Sequence, residues 1–208
     1  MSQDLGSVVS DAAGAAFARR SIPVNALVED ADSVAYACYD MATRFHKRGK
    51  LIVFGNGGAS TDAQHIAVEF VHPVIVGKRA FPAISLTSDI ATITGVASRE
   101  GFTEIFVHQL RHLAATNDIA LGVSPDGQCA SVLQGLEQAR KMGLLTIALT
   151  GGDGGAIASS PAVDHSFIAR SCDPLIVKEV QVTTYHVLWE LVHVFFEQPG
   201  LLGPEMVR

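Results

Sequence analysis

The chain has 208 residues, enough for one substantial core, with a net charge of -6, 48% hydrophobic and 17% charged residues. That balance argues against non-specific nucleic-acid binding, which needs a cationic face, so no direct nucleic-acid partner is expected. Cys38, Cys129 and Cys172 form neither a CxxC pair nor an even disulfide framework and read as reduced thiols, which favours a cytoplasmic location. No run of 18 apolar residues is present, so no membrane span is expected, and the first twenty residues lack the basic and apolar regions of a secretory signal.

In chain order, about fifty residues read as helical with a break near Pro23, and a first apolar strand follows at 51–54. Gly55-Asn56-Gly57-Gly58 then turns the chain into a helical pattern over 61–71. Further strands are predicted at 82–86, 119–123, 145–149 and, more weakly, 165–168. Helices are predicted at 90–97, 103–115, 130–142 and 156–159, with a closing helix at 174–197 stopped by Pro199-Gly200. Strands that are apolar throughout and alternate with helices imply a doubly wound, flavodoxin-like α/β fold. It would have a five-stranded parallel sheet, helices on both faces and helical extensions at both ends. No composition shift divides the chain, which reads as one domain: an N-terminal helical extension over 1–49, an α/β core over 50–170 and the closing helix.

In such sheets a ligand sits beyond the carboxyl ends of the strands. Three of those ends carry polar, glycine-bearing turns. They are Gly55-Asn56-Gly57-Gly58, Ser124-Pro125-Asp126-Gly127-Gln128-Cys129, and Thr150-Gly151-Gly152-Asp153-Gly154-Gly155. Each opens a helix whose free N–H groups favour an anion, so a phosphorylated or polyhydroxylated ligand is expected. A nucleotide P-loop is excluded because Ala59 and Ser60 follow Gly58 where lysine is required. A dinucleotide fingerprint fits poorly, with Ser60 in place of its third glycine and Asp89 too distant to be the usual ribose-binding acid.

His65 and Glu69 are four apart and share a helix face, a spacing suited to metal ligation or acid–base work, with Gln64 alongside. His186 and Glu190 repeat the spacing, with His193 nearby, and His186 lies in an apolar stretch where a buried histidine needs a partner. His108 and His112 form a third pair, read as a solvated face beside Gln109 and Arg111. The closing-helix face of Val182, Tyr185, Trp189, Val192 and Phe196 is too apolar for water and predicts a subunit contact.

Over about residues 25–197 the chain resembles the SIS (sugar isomerase) domain and, within it, the phosphoheptose isomerases. The residues that carry the resemblance are Gly55-Asn56-Gly57-Gly58, Asp62-Ala63-Gln64-His65 with Glu69, Phe81-Pro82-Ala83-Ile84, Ala148-Leu149-Thr150-Gly151 with Asp153-Gly154-Gly155, and Glu179 with His186. The resemblance implies a homotetramer built on the terminal helices, with active sites between subunits. It implies aldose–ketose isomerisation of sedoheptulose 7-phosphate through an enediol, with Glu69 as the base and His186 as its partner acid or base. It also implies a divalent metal, typically zinc, on His65, Glu69 and His186, and a sugar phosphate held by Asn56, Gly57, Gly58, Ser124, Asp126, Gln128, Thr150 and Lys178.

The chain departs from the family around the ligand. The turn that usually reads Ser-x-Ser-Gly-x-Ser has Asp126 and Cys129 at two hydroxyl positions, and Ala59 replaces a serine. Ser98-Arg99-Glu100 stands where the family has Asn-Asp before Gly-Phe, and Lys178 aligns with the glutamine that completes the metal site. A carboxylate within ~5 Å of a phosphate repels it by several kcal/mol at an effective dielectric near 20, and two lost hydrogen bonds add ~1–3 kcal/mol. Two functions therefore stay open: a phosphosugar isomerase with an altered turn, and a non-catalytic regulatory protein that engages a protein partner or a different sugar.

Overall fold

The computed structural model describes residues 2–198 and 200–202. Two helices open the chain, α1 (Ser2–Asn25) and α2 (Ala31–His46), joined by a 3-10 turn at Ala26–Asp30. The expected break at Pro23 is placed slightly later: the proline sits in the last turn of α1, which ends at Asn25. Proline accepts a helical φ but donates no N–H, so the helix stops soon after it.

Five strands follow: β1 (Leu51–Gly55), β2 (Ala83–Ser85), β3 (Ile119–Val123), β4 (Leu145–Gly151) and β5 (His165–Ala169). Between and after them run α3 (Gly58–Val71), α4 (Ile90–Arg99), α5 (Ile105–Leu113), α6 (Ala130–Lys141), α7 (Gly155–Ala158) and α8 (Pro174–Glu197). The pattern expected to be helical from 103 to 115 is divided, with a 3-10 turn at Phe102–Glu104 preceding α5. The closing helix has its expected bounds, and it starts where sequence rules place it: the Asp173 carboxylate accepts from the Leu175 N–H and Pro174 follows at the first helical position.

All strand pairs are parallel, in the order β2-β1-β3-β4-β5, with Leu51 opposite Ile119 and Ile119 opposite Leu145. This is the flavodoxin-like order, and its switch point lies between β1 and β3. Alternation along the strands divides the core between the two faces of the sheet. Leu51, Val53, Leu121 and Ile147 pack under α2, α3 and α8, whereas Ile52, Phe54, Ala120 and Ala148 meet α4–α7. Both faces are therefore covered, which explains why the central strands β1 and β3 are apolar at every position.

One expectation about the closing helix is corrected. Tyr185, Trp189 and Val192 are buried within the chain's own core, packed with α2 and α3, and Val182 and Phe196 are partly buried against the same cluster. Helical spacing identifies an apolar face but not what covers it, and here α2 and α3 do. Exposed apolar residues include Val8, Val9, Phe17 and Ile22 on α1, Tyr36 on α2, Val74 to Val76 after α3, and Leu175 and Val187 on the other side of α8. No helix among the described residues is long and apolar enough to cross a membrane.

Close approach of α6 to the sheet depends on Gly135. A Cβ built there would lie 2.8 Å from Phe54 Cε2 and 3.2 Å from Phe106 Cβ. Gly135→Val is expected to destabilise the fold by ~1–3 kcal/mol through overpacking. Urea unfolding checks this, and an unchanged midpoint would show that α6 can move away without cost.

Candidate active site

The site grows from two helices that lie side by side and point the same way. Three contacts in matching order define the seam: Lys178 with Asp62, Tyr185 with His65, and Trp189 with Glu69. At its N-terminal end the Lys178 ammonium donates to both oxygens of Asp62, at 2.8 and 2.7 Å, and to the Gly58 carbonyl at 3.2 Å. Next, the Tyr185 hydroxyl and His65 Nδ1 share a hydrogen bond of 2.9 Å. Beyond that, the Trp189 indole donates to the Glu69 backbone carbonyl at 3.0 Å and fixes α8 against α3.

This seam brings His65, Glu69 and His186 together. One ligand atom from each falls within 4.8 Å of the others, with Glu69 buried and both histidines exposed. The burial that an apolar neighbourhood suggested for His186 is thus not its state: it faces outward beside His65, ring centroids 5.7 Å apart. His65 Nε2 and Glu69 Oε1 are 3.0 Å apart, and no hydrogen bond to Glu69 Oε2 is found among the described residues. His193 is separate, buried between the Trp189 and Arg79 carbonyls; His108 pairs with Glu100 on a partly solvated face, whereas Gln109, expected on that face, is buried and donates to the Leu86 and Ile105 carbonyls.

Two imidazoles and a carboxylate are a donor set suited to zinc, and three protein ligands leave the open position of a catalytic centre. Zinc ligands lie ~2.0–2.2 Å from the metal, so donors already within a few ångströms of one another reach it by small side-chain rotations. Lys178 is committed to Asp62 and contributes no ligand. The residues present therefore fit the metal.

The glycine turns stand beside this cluster. Gly57, at φ +56, precedes α3, and the Ser60 and Thr61 hydroxyls donate to the Gly57 and Gly58 carbonyls. The Asn56 amide donates to Ser131 Oγ at 2.7 Å and contacts Cys129 Sγ at 3.1 Å, which ties the first turn to the second. In the second turn, buried Ser124 donates to Asp126 Oδ1 at 3.2 Å, and the Gln128 N–H donates to the same oxygen at 2.9 Å. Gly127, at φ +68, packs on the third turn so closely that a Cβ would lie 2.0 Å from the Gly154 carbonyl oxygen. Thr150 is fully buried at the end of β4, its hydroxyl without a hydrogen-bond partner among the described residues. From α8, the Gln181 amide lies 3.5 Å from the Ser124 carbonyl, so one helix touches turn, ion pair and cluster.

Sequence reasoning missed Tyr185, Asp62 and Gln181 as site residues. Tyr185 was assigned to an apolar face on spacing, and only its hydroxyl, seven residues after Lys178, hinted at more. Burial, with the charges of Asp62 and Glu69, pushes its phenol up to about 12 from the usual 10.0. It therefore stays protonated and can orient His65. When His65 Nε2 is a ligand, its Nδ1 proton is held by the Tyr185 oxygen.

A doubly wound sheet with glycine turns at its carboxyl edge and a histidine–carboxylate cluster along the α3–α8 seam defines a class of small-ligand α/β proteins. The chain belongs to the SIS domain family, whose pattern matches residues 19–151, and falls among its phosphoheptose isomerases. It is 38% identical over 161 residues to the phosphoheptose isomerase of Thermodesulfovibrio yellowstonii, covering 77% of this chain and 79% of that one. It is 36% identical to that of Desulfovibrio desulfuricans, covering 85% and 83%. The structure of a phosphoheptose isomerase from Neisseria gonorrhoeae superposes with a TM-score of 0.80 at 26% identity, covering 88% of this chain and 98% of that one.

The raised Tyr185 value has a consequence for stability. Its neutral form is favoured in the folded state, so this contribution is complete below pH 10 and is lost as pH rises through about 12. Thermal unfolding from pH 8 to 12 should fall more steeply for wild type than for Tyr185→Phe. Equal slopes would show that Tyr185 is not held neutral by its surroundings.

Proposed function

We propose that the chain is a sugar-phosphate isomerase that interconverts an aldose and a ketose through an enediol, with sedoheptulose 7-phosphate as its ketose. One observation carries the reading: Glu69, His65 and His186 converge on the α3–α8 seam, along which a sugar can lie. Proton transfer next to a carbonyl needs a carboxylate near the carbon and a donor near the oxygen. Glu69 Oε2, with no hydrogen bond found among the described residues, is the atom to take the proton from C2 of the aldose and return it to C1 of the ketose. His186, exposed beside it, donates to and takes back from the sugar oxygens. In the absence of metal His65 Nε2 holds the Glu69 carboxylate in place through Oε1, a contact that metal on Nε2 would replace, and in either state Tyr185 holds the ring through Nδ1.

The same reading gives zinc to His65, Glu69 and His186. When bound, the metal supplies a Lewis acid that polarises the carbonyl oxygen. Asn56, Gly57, Gly58 and Gln128 border the sugar, Ser124 and Thr150 lie buried behind them, and Lys178 closes the N-terminal end of the seam. The exposed apolar residues of α1 support a homotetramer, and three free cysteines suit a reducing cytoplasm. Light scattering should then report four chains, and a stable 22 kDa species would overturn this assembly.

Glu69→Gln keeps the side-chain shape and removes the base, so turnover of sedoheptulose 7-phosphate should fall ~10²–10⁴-fold with melting little changed. Proton exchange into the sugar from deuterated water, followed by NMR, measures the step directly. Wild-type exchange no faster than that of the variant would end the isomerase reading. A regulatory binding protein would then be favoured, the occupied Lys178–Asp62 pair being the feature that supports it.

Metal analysis supplies a second test. Protein grown with ample zinc should carry close to one ion per chain, and His65→Ala should carry far less. Wild type without zinc would leave Glu69 and His65 as a simple hydrogen-bonded pair.

A further inference from the structure

The turn at 124–129 lies where an anion is expected, at the carboxyl end of a strand and the start of the twelve-residue helix α6. Most of its donors are nonetheless engaged within the chain, the Asp126 N–H being the exception among the described residues. The Gly127 N–H donates to the Ser124 carbonyl at 3.3 Å, the Gln128 N–H to Asp126 Oδ1 at 2.9 Å, and the Cys129 N–H to Ser124 Oγ at 3.4 Å. The Ser124 hydroxyl donates to Asp126 Oδ1 at 3.2 Å, and Pro125 has no N–H to offer. One carboxylate oxygen thus takes two of the donors that would otherwise meet an incoming anion.

No ion pair to Asp126 is found among the described residues. A cleft of about 590 Å³ adjoins the turn, lined by Asp126, Asp153, Gly151, Ser171, Val177 and others, with no lysine or arginine among its described lining residues. Lys178 is held by Asp62. Arg99 folds back along its own helix, with Nη2 3.7 Å from where a Cβ on Gly95 would stand. In contrast, Asp126 Oδ2 has no hydrogen bond among the described residues and is exposed, free to accept from a sugar hydroxyl.

We propose that Asp126 is the specificity-determining residue of this site, an internal anion that makes the turn read sugar hydroxyls rather than a dianionic phosphate. Resting on the isomerase reading, this means that the phosphate adds little to substrate binding, and the unphosphorylated ketose is held nearly as well. Recognition falls instead to the Glu69–His186 cluster and to hydroxyls along the seam. Removing the carboxylate frees the Gln128 N–H and the Ser124 hydroxyl and takes away the repulsion, so the turn should become an anion site.

The test is titration calorimetry of wild type, Asp126→Ser and Asp126→Asn with inorganic phosphate, sedoheptulose 7-phosphate and sedoheptulose at one pH and salt. Wild type should bind the two ketoses within about fivefold of each other and phosphate weakly. Asp126→Ser should bind phosphate at least tenfold tighter and prefer the phosphorylated ketose by at least tenfold more than wild type does, or about 1.4 kcal/mol. Asp126→Asn removes the charge while keeping the shape of the cap, so it should also gain, and it serves if the serine variant does not fold. Phosphate binding by wild type as tight as in either variant would overturn the proposal. Because binding is read without turnover, an inactive wild type whose variants gain phosphate sinks only the isomerase reading, and an active one whose variants gain nothing sinks only this.

Discussion

The parallel packing of α8 on α3 is the constraint on which the site depends. Each element of the cluster belongs to one of these two helices, and each is set by its neighbour across the seam. Trp189 fixes depth by donating to the Glu69 carbonyl, while Tyr185, Leu188 and Val192 bury the same face in the core. His186 follows Tyr185 by one residue, about 100° around the helix, so burying the tyrosine turns the histidine outward over His65. Hydrophobic packing therefore aims the exposed chemistry, and a change beneath the seam would move His186 as surely as a change at its surface.

Parallel helices also bring two positive dipole ends to the same edge of the sheet. Acidic groups accompany both: Asp173 caps α8, and Asp62 lies early in α3. Lys178 then balances Asp62 across the gap. This arrangement accounts for an ammonium at position 178. Lys178 serves the buried Asp62 carboxylate, and the cluster further along the seam retains two imidazoles and one carboxylate of its own.

Much of this was legible in the sequence. The bounds of β3 and α8 match the pattern reading residue for residue, because apolar runs between turn signals and an Asp-Pro start are strong local codes. The glycine turns were legible too, since their backbone conformations restrict which residues can occupy them. What the sequence could not show was partnership. Periodicity marked Tyr185, Trp189 and Val192 as an apolar face, but whether α2 or a second subunit covered it was a tertiary fact. Tyr185 illustrates the same limit: an aromatic ring on a buried stripe looks like core until its hydroxyl is found 2.9 Å from His65. Lys178 and Asp126 were visible as departures, yet only coordinates show that each already has a partner.

Those partnerships explain how the departures coexist. Asp62 is met by Lys178, Asp126 by the Ser124 hydroxyl and the Gln128 N–H, and Asp153 by the Gly155 N–H. Three carboxylates at one sheet edge would repel a dianion and one another if left bare, and each is instead held by a donor from its own loop or the facing helix. On the proposed reading, such a site gives up attraction for an anion in return for a set of fixed acceptors. Fixed acceptors suit hydroxyl groups, whose donors are weaker but more numerous along a sugar chain. The proposed acid–base cluster would be untouched by this exchange, because Glu69 and its histidines lie further along the seam from these loops. Catalysis and terminal-group specificity, as proposed, would then be carried by different parts of the structure, and one could change while the other persists.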